Sequence, residues 1–434
     1  RVTVLPNGIR VATHTTPGYF CGFGAYLDVG SRVETPQTRG CTHMLDRMAF
    51  KSTSRQTAEE ISELVESMGG NIQRASSREN LIFQASVFPT DLPRIVSLFA
   101  DVIQRPALLD HEIDEQRQII AWELAEIEAK PELNLPETLH QVAYRGNTLG
   151  NPQLCSEEVL ATMSAEKLRH FLGQWFTADR LVISAIGAPH DEVCALVKLH
   201  YGQMKPHPAR TSSLLGSFGQ TASKLFRSTT DDSAAASSTS AMDVPTLVSQ
   251  PAHYTGGTLL KDLPEAPQTH IHLAFRAPGM NSSAIYPLAV LQILLGGGDS
   301  FSAGGPGKGM YSRLYTQVLN RYMFVESCAA FTFSYRDSSL FGISAICESS
   351  ATHSMLEVII RQLTRLASLC FGLHDTEVAR AKNQLKSSLM MNLESRPIQL
   401  EDLGRQIQGF NAALTPAQMC ASIDRVTKVD LYRL

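Results

Sequence analysis

One order of predicted elements occurs twice along the 434 residues of the chain, and this repeat constrains the fold more than any other feature. In the first copy, an apolar strand over residues 20–32 leads to helices near 39–50 and 57–68. Two strands within residues 71–89 and a long helix over 110–130 follow. A single copy of this pattern already contains enough strands and helices for one packed domain.

The second copy has the same order of elements. A strand over residues 269–279 leads to helices at 284–295 and 309–321, then to two strands within 324–349 and two helices within 352–395. Strand pairs interleaved with helices predict the α+β class. We therefore expect two similar domains, each a mixed or antiparallel sheet packed with helices, joined by a linker.

A segment rich in Ser, Ala and Thr, residues 206–250, separates the two copies and is typical of a linker or flexible insertion. We predict an N-terminal domain over residues 1–205 and a C-terminal domain over residues 251–434. Residues 426–434 match the helix that precedes the apolar strand 181–188 in the first copy. We therefore expect the second copy to be C-terminally incomplete.

The charge and apolar content of the chain exclude several classes of protein. The formal net charge is −4, which does not suit a protein that binds nucleic acid by neutralising phosphates. The longest apolar run, residues 287–295, is about half the length that a membrane-spanning helix requires. We predict a globular protein with neither a nucleic-acid partner nor a membrane span.

The eight cysteines are scattered, and none forms a C-x-x-C pair. Their positions are Cys21, Cys41, Cys155, Cys194, Cys328, Cys347, Cys370 and Cys420. This spacing does not suggest a structural zinc site. We interpret the cysteines as reduced and mostly buried thiols in a reducing compartment.

Residues 40–51, GCTHMLDRMAFK, have the rhythm of a zinc-peptidase helix with two polar positions changed. In the inverted motif H-x-x-E-H, two histidines on one helix face bind zinc and the glutamate activates a bound water. Here His43 takes the first ligand position, while Asp46 and Arg47 replace the glutamate and the second histidine. Arg47 stays protonated and has no lone pair for a metal. The motif alone is weak evidence, and a chance match is the simpler interpretation until another feature supports it.

A long predicted helix supplies the position where a third ligand is expected. Glu123 lies 76 residues after Arg47, on an amphipathic helix that could face the motif. Seven residues earlier, Gln116 lies on the same side of this helix, where a second carboxylate would help a peptidase.

A glycine-rich stretch connects two predicted helices within the second copy. It does not fit a phosphate-binding Walker loop, because Gly309 follows Lys308 where Ser or Thr is required. Connections between helices usually span about two to eight residues, so a long one is more typical of a lid or binding loop. A flexible surface linker is the alternative on composition alone. The candidate substrate-binding residues are Gly296, Gly297, Gly298, Asp299, Ser300, Phe301, Ser302, Ala303, Gly304, Gly305, Pro306, Gly307, Lys308, Gly309 and Met310.

These features together resemble the pitrilysin-type, inverted-zinc metallopeptidase superfamily and, within it, the family of α subunits of mitochondrial processing peptidases. The resemblance covers almost the whole chain and rests on LPNGIRVAT, DVGSR, GCTHMLDRMAFKST, YTGG, the glycine-rich stretch and MMNLESRP. The glycine-rich stretch is the most specific of these motifs. The resemblance implies two pitrilysin-type domains and a mitochondrial matrix location, with association with the inner membrane left open.

Carried over to this sequence, the resemblance matches His43 to the first zinc ligand and Glu123 to the third. Asp46 falls on the general base, Arg47 on the second ligand and Gln116 on a supporting carboxylate. Because three of these five positions are changed, we predict no catalytic zinc and no cofactor in this chain. We expect Arg47 to take the place of the metal as a cation paired with Glu123 or Asp46.

The resemblance also implies a function: a non-catalytic subunit that binds substrate for a zinc-bearing β subunit. Its glycine-rich stretch would contact the basic, Arg-rich presequences of imported proteins, and Asp299 stands where the family usually has glycine. An acidic inner wall would attract such peptides. The acidic candidates are Asp299, Asp337, Glu357, Asp375, Glu377 and Glu394.

Two other functions stay open at this point. Related chains serve as core proteins of respiratory complex III, so complex III subunits are alternative or additional partners. An autonomous metallopeptidase is disfavoured by Arg47, because that residue opposes metal binding.

Overall fold

The computed structural model of the chain forms two compact units. The first contains Arg1–Gln116 and Ala161–Pro251, and the second contains Arg117–Leu160 and Ala252–Leu434. Residues 117–160 thus pack with the second unit, whereas the sequence predicted them to belong to the N-terminal domain, residues 1–205. The predicted domain limits stay a prediction. The structure describes residues 1–207, 247–248, 250–263, 266–300, 309–368 and 372–434.

The first unit is built on a six-stranded mixed sheet. Its strands are β1 (Val2–Val4), β2 (Arg10–His14), β3 (Cys21–Leu27), β4 (Asn71–Ser76), β5 (Leu81–Val87) and β6 (Leu181–Ile186). The order is β1-β2-β6-β3-β5-β4, in which β2 and β6 run parallel and the other neighbours antiparallel. Every residue of β3 and β6 is buried, as expected for central strands.

Helices pack against this sheet and close its core. The helices up to residue 201 are α1 (Cys41–Met48), α2 (Ala58–Met68), α3 (Leu92–Gln104), α4 (Asp110–Ala129), α5 (Pro131–Ala143), α6 (Glu157–Ala161), α7 (Ala165–Trp175) and α8 (His190–Tyr201). Of these, α5 and most of α4 and α6 belong to the second unit. Helix α3 packs against β3 and β5, and α8 packs against β2. The ring of Phe99 on α3 lies 5.8 Å from that of Phe23 and 6.1 Å from that of Phe83, so aromatic contacts join this helix to the sheet.

The ends of α2 show how local sequence determines a helix in this chain. Thr57 accepts a hydrogen bond from the backbone N–H of Glu60, and the Glu60 carboxylate accepts one from the backbone N–H of Thr57. This capping box satisfies backbone donors that the helix itself leaves unpaired. Gly69 then ends the helix in the left-handed conformation, with φ of 56°.

The second unit contains a four-stranded antiparallel sheet. Its strands are β7 (Gln268–Pro278), β8 (Gly297–Asp299), β9 (Val325–Ser334) and β10 (Ser338–Glu348), in the order β7-β10-β9-β8. The helices that follow residue 284 are α9 (Ile285–Leu295), α10 (Thr352–Ala367), α11 (Asp375–Asn392), α12 (Arg396–Phe410), α13 (Pro416–Asp424) and α14 (Lys428–Tyr432). Helix α9 packs against β9 and α11, and α5 packs against β7.

The two units repeat one strand arrangement, which confirms the predicted α+β fold of two similar domains. Strands β3, β5 and β4 of the first sheet correspond to β7, β10 and β9 of the second. Within the described residues, β7 has β10 as its neighbour, and no strand takes the place that β6 has beside β3. The expected C-terminal incompleteness of the second copy stays a prediction.

The helix predicted over residues 309–321 is shorter than expected. Residues 309–312 form a turn, with the N–H of Ser312 donating to the carbonyl of Gly309 at 2.9 Å. A π-helical segment, Tyr315–Leu319, follows. Gly309 has φ of 88°, a conformation that a right-handed helix cannot include, so the helix begins only after this turn.

The predicted linker 206–250 lies mostly outside the described residues, but residues near both of its ends make hydrogen bonds to the first unit. The N–H of His207 donates to Asp179 Oδ1 at 2.9 Å. The carbonyl of Gln250 accepts from Arg32 Nη2 at 3.0 Å.

The described cysteines are free thiols and nearly all buried, as predicted. Cys420 is half-buried, the other six described cysteines are buried, and Cys370 lies outside the described residues. Burial raises the pKa of Cys328 to about 12, which keeps that thiol protonated and unreactive. In the part of the chain that the structure describes, no helix is both long and apolar enough to cross a membrane.

Candidate functional site

A buried carboxylate fixes the N-terminus of α1, the helix that carries the H-x-x-D-R motif. Glu34 accepts hydrogen bonds from the N–H groups of Gly40 and Thr42, both at 2.8 Å. These bonds satisfy unpaired donors at the positive end of the helix dipole. Burial raises the pKa of Glu34, and the two backbone hydrogen bonds oppose that rise. The Glu34 side chain thus fixes the position of the helix that carries the motif.

The motif side chains His43 and Asp46 are buried, with exposures of 4% and 8%. Arg74 on β4 lies beside them, and its Nη1 is 3.8 Å from Asp46 Oδ2. Burial raises the pKa of Asp46, while the charges of Arg74 and Arg47 oppose that rise. Sequence reasoning missed Arg74, which comes from a strand of the sheet rather than from the motif helix.

The electrostatic surroundings keep His43 neutral. Burial and the positive charges of Arg47 and Arg74 lower the pKa of this imidazole to about 4. A further positive charge at this place is therefore disfavoured, whether it is a proton or a metal ion. The neutral imidazole of His43 could bind a metal ion, but the positive charges of Arg47 and Arg74 would repel that ion.

The residues around His43 do not fit a zinc ion. At an effective dielectric constant of about 20, one guanidinium about 5 Å from a dication repels it by roughly 7 kcal/mol. The positive charges of two arginines, Arg47 and Arg74, act on His43. Among the described residues, no three His, Cys, Asp or Glu side chains converge as a metal site would require. The donor set therefore supports no chemical step through a metal in this chain.

The two candidates on α4 lie in different compact units. Gln116 is buried in the first unit, with 6% exposure, and brings an uncharged amide where a peptidase would use a carboxylate. Glu123 is half-buried in the part of α4 that belongs to the second unit. Pairing of Arg47 with Glu123 stays a prediction, whereas Asp46 has an ion-pair partner in Arg74 that the sequence did not suggest.

The glycine-rich stretch begins as part of the second sheet. Gly296 ends α9 with φ of 54°, and Gly297–Asp299 form β8, the edge strand paired with β9. Residues 301–308 of the predicted binding stretch lie outside the described residues, so the structure places Gly296–Ser300, Gly309 and Met310.

Gly297 and Gly298 differ in whether the surrounding structure leaves room for a side chain. A Cβ at Gly297 would lie 2.0 Å from the carbonyl oxygen of Cys328, and Gly297 has φ of 100°. A Cβ at Gly298 would meet no atom within 4 Å. Gly297 is therefore required by close backbone packing, whereas Gly298 is not.

A buried ion pair holds the chain just after the stretch. Arg313 Nη2 donates to Glu377 Oε2 at 2.8 Å and to the carbonyl of Gly372, and Arg313 Nε donates to Glu377 Oε1 at 3.3 Å. Glu377 also accepts from the N–H of His374, which caps the start of α11. Arg313 thus joins the end of the glycine-rich stretch to α11.

A groove of about 530 Å³ lies beside this ion pair. Its lining combines apolar side chains with amides and hydroxyls, and includes Ile293, Leu294, Met310, Tyr311, Gln384 and Met391. Met310, a predicted candidate, therefore lines a concave surface. The guanidinium of Arg380 lies over the ring of exposed Tyr311, at 5.7 Å from its centroid.

Most of the acidic candidates have structural partners. Asp337 accepts from the N–H of Ala252 at 2.8 Å, and Asp375 pairs with Lys428 at 2.8 Å. Glu357 pairs with His353 at 3.4 Å, and Glu377 belongs to the buried pair described above. Asp299 and Glu394 are exposed. The structure thus gives Asp337 and Glu377 local structural roles, whereas Glu357 and Asp375 make only exposed surface contacts.

The fold and the altered motif define a class of protein: a two-domain zinc-peptidase fold in which arginines lie where the metal would bind. The family described as Insulinase (Peptidase family M16) matches residues 10–157, and the one described as Peptidase M16 inactive domain matches residues 162–385. The chain belongs to peptidase family M16, in agreement with the resemblance noted in the sequence.

Relatives in several organisms share this similarity over the whole chain. The chain is 43% identical to the mitochondrial-processing peptidase subunit alpha of Neurospora crassa, covering 100% of this chain and 82% of the relative. It is 33% identical to the protein of that name from Homo sapiens, covering 100% and 79%. A crystal structure of a protease from Helicobacter pylori has a TM-score of 0.82 at 17% identity, covering 100% of this chain and 95% of that one, and supports the fold alone.

Proposed function

We propose that the chain is the non-catalytic, substrate-recognition subunit of a mitochondrial processing peptidase. One observation carries this proposal: the M16 fold retains His43 but surrounds it with Arg47 and Arg74, which oppose zinc. The names of relatives at 33–43% identity support the same assignment. A β subunit bearing zinc would then perform the hydrolysis, in the mitochondrial matrix.

The proposed substrates are basic N-terminal presequences of imported proteins. We infer that the glycine-rich stretch, residues 296–310, contacts them, since glycine lets backbone amides approach a peptide closely. The groove beside Met310 and Tyr311 supports this role, because methionine and aromatic side chains adapt to varied apolar residues. Exposed Asp299 adds a negative charge that would favour an Arg-rich peptide.

Two measurements with one presequence peptide test the proposal. The first is binding of a fluorescent, Arg-rich presequence peptide to this chain alone. The second is cleavage of the same peptide by this chain, by the β subunit, and by the two combined. We expect binding by the lone chain, no cleavage by it, and efficient cleavage only by the pair.

Controls separate the proposed role from its alternatives. A peptide of the same composition with its arginines replaced by glutamates should not bind. Cleavage of the presequence by the lone chain, abolished by a chelator, would show a working metallopeptidase and overturn the proposal. Co-purification with cytochromes, without presequence binding, would instead indicate a core protein of complex III.

A further inference from the structure

A tight turn presents a fully exposed methionine on the surface of the second unit. Met323 is 100% exposed and lies between the π-helical segment and β9. The N–H of Tyr322 donates to the carbonyl of Val318 at 3.0 Å, and the N–H of Val325 donates to the carbonyl of Tyr322 at 3.3 Å. The rings of Tyr322 and Phe324, whose centroids are 5.5 Å apart, pack against the core of the unit. The backbone bonds and the packed rings therefore fix the turn, and Met323 protrudes from it.

Helix α10 extends this surface. Ile360 is 57% exposed and Leu356 is 38% exposed, and the two lie about one turn apart on the same side of the helix. Arg361 Nη1 donates to the hydroxyl of Tyr322 at 3.5 Å, which joins the helix to the turn that carries Met323. The three exposed apolar side chains thus belong to neighbouring parts of one surface.

The charged side chains around these apolar ones are mostly positive. Arg321 precedes Met323 in the turn, Arg361 and Arg365 lie one turn apart on α10, and all three are exposed. Within the residues that the structure describes, no carboxylate forms an ion pair with these arginines. Glu357 is the sole acidic residue of α10, and its Oε1 lies 3.4 Å from His353 Nε2. The surface therefore has an excess of positive charge.

The docking face, as we name this surface, consists of Arg321, Met323, Leu356, Ile360, Arg361 and Arg365. Its positive charge disfavours a basic presequence as its ligand. Its three apolar side chains offer far less area than the roughly 800 Å² per partner that a standard protein interface buries. A bilayer with anionic headgroups requires no such area, because apolar side chains enter the boundary of the acyl chains and arginines contact the phosphates. Charge and area together thus favour a lipid surface.

We propose that the docking face binds the anionic surface of a phospholipid membrane, with Met323 and Ile360 among the lipid chains and the arginines at the headgroup phosphates. This inference goes beyond the proposed function and does not depend on it. Because a few side chains bury little apolar area, the binding is reversible, in the range that a single acyl chain provides. The second unit then contacts the lipid through the turn at Met323 and the exposed side of α10.

The test is flotation of the full chain with lipid vesicles over a range of lipid concentrations. Vesicles of phosphatidylcholine with about 30 mol% phosphatidylserine are negatively charged, and vesicles of phosphatidylcholine alone are neutral. We expect binding to the anionic vesicles, at least about 10-fold weaker binding to the neutral ones, and loss of most binding at about 1 M salt, because salt screens the arginines. Met323→Ser should weaken binding about 10-fold through lost apolar contact, and Arg321→Gln with Arg361→Gln about 20-fold.

Two matched variants test whether the location of these side chains matters. Met390 on α11 is 51% exposed, and exposed Arg433 lies in a separate recess beside Tyr286. Met390→Ser and Arg433→Gln should leave vesicle binding unchanged. Thermal denaturation of every variant checks that each is folded.

Three outcomes would overturn the inference: no binding to anionic vesicles, equal binding to anionic and neutral ones, or equal losses in the docking-face and control variants. Weaker pairing of Met323→Ser with the β subunit, without vesicle binding by the wild type, would show that this face is a protein interface instead. Presequence binding and cleavage are measured without lipid, so a failure of the proposed function is seen separately.

Discussion

Removing Arg313 should destabilise the second unit far more than loss of a surface ion pair would. The side chains of Arg313 and Glu377 are 6% and 17% exposed, and their closest N–O distance is 2.8 Å. Removing one partner of a buried pair typically costs about 3–5 kcal/mol, because the remaining charge is left without compensation. Since Glu377 keeps some exposure, we expect Arg313→Met to cost about 3 kcal/mol.

The assay is urea denaturation of the wild type, Arg313→Met, Glu377→Leu and the double variant. An unchanged dependence of the unfolding free energy on urea concentration checks two-state behaviour. The double variant removes both charges, so we expect it to recover most of the loss seen in either single variant. Burial would raise the pKa of Glu377, but the hydrogen bond and the charge of Arg313 dominate, and the folded-state pKa lies below the ordinary value. The stabilisation is therefore complete above the ordinary carboxyl pKa and disappears as the pH falls through the lowered one. A cost below about 1 kcal/mol for Arg313→Met, as at exposed pairs, would refute the reasoning.

Three further predictions concern the metal position and the glycines. As the pH falls from 7.5 to 5, the free energy of unfolding of the wild type should fall by about 2 kcal/mol more than that of His43→Gln, measured by urea denaturation at each pH. The reason is that the imidazole pKa is 6.5 in the unfolded chain and about 4 in the folded one, so the unfolded state takes up the proton first. Parallel pH profiles of the two proteins would contradict this. Arg47→His alone should bind no stoichiometric zinc by metal analysis, whereas Arg47→His with Arg74→Ala should bind it weakly; equal zinc contents would show that Arg74 has no influence. Gly297→Ala should lower the free energy of unfolding by roughly 2–4 kcal/mol, and Gly298→Ala, its matched control, by less than about 1 kcal/mol, both measured by thermal or urea denaturation.

The repeat and the motif helix were readable from sequence because both depend on local patterns. Strand and helix periodicities over 5–20 residues place most elements correctly, as the capped helix starting after Thr57 shows. His43, Asp46 and Arg47 share one helix turn, so their proximity follows from helix geometry alone. The prediction of no catalytic zinc therefore depends on local sequence and not on tertiary contacts.

Other parts of the site depend on contacts between distant segments. Arg74 reaches Asp46 because β4 packs beside α1, and no spacing rule connects a strand to a helix across 28 residues. The hydrogen bond from the N–H of Gly297 to Ser312 Oγ likewise joins residues that no spacing rule connects. The turn at Gly309, which shortened a predicted helix, depends on a positive φ that helix periodicity does not reveal.

Glu34 has a consequence for how this chain could change during evolution. It anchors α1 at the N-terminus through two backbone hydrogen bonds, so the helix does not depend on an ion to hold its place. We therefore expect a helix anchored in this way to tolerate substitutions at the positions that match metal ligands. Substitution at position 47 should therefore be tolerated more readily than substitution at position 34, which would leave two backbone N–H groups at the start of the helix without their acceptor.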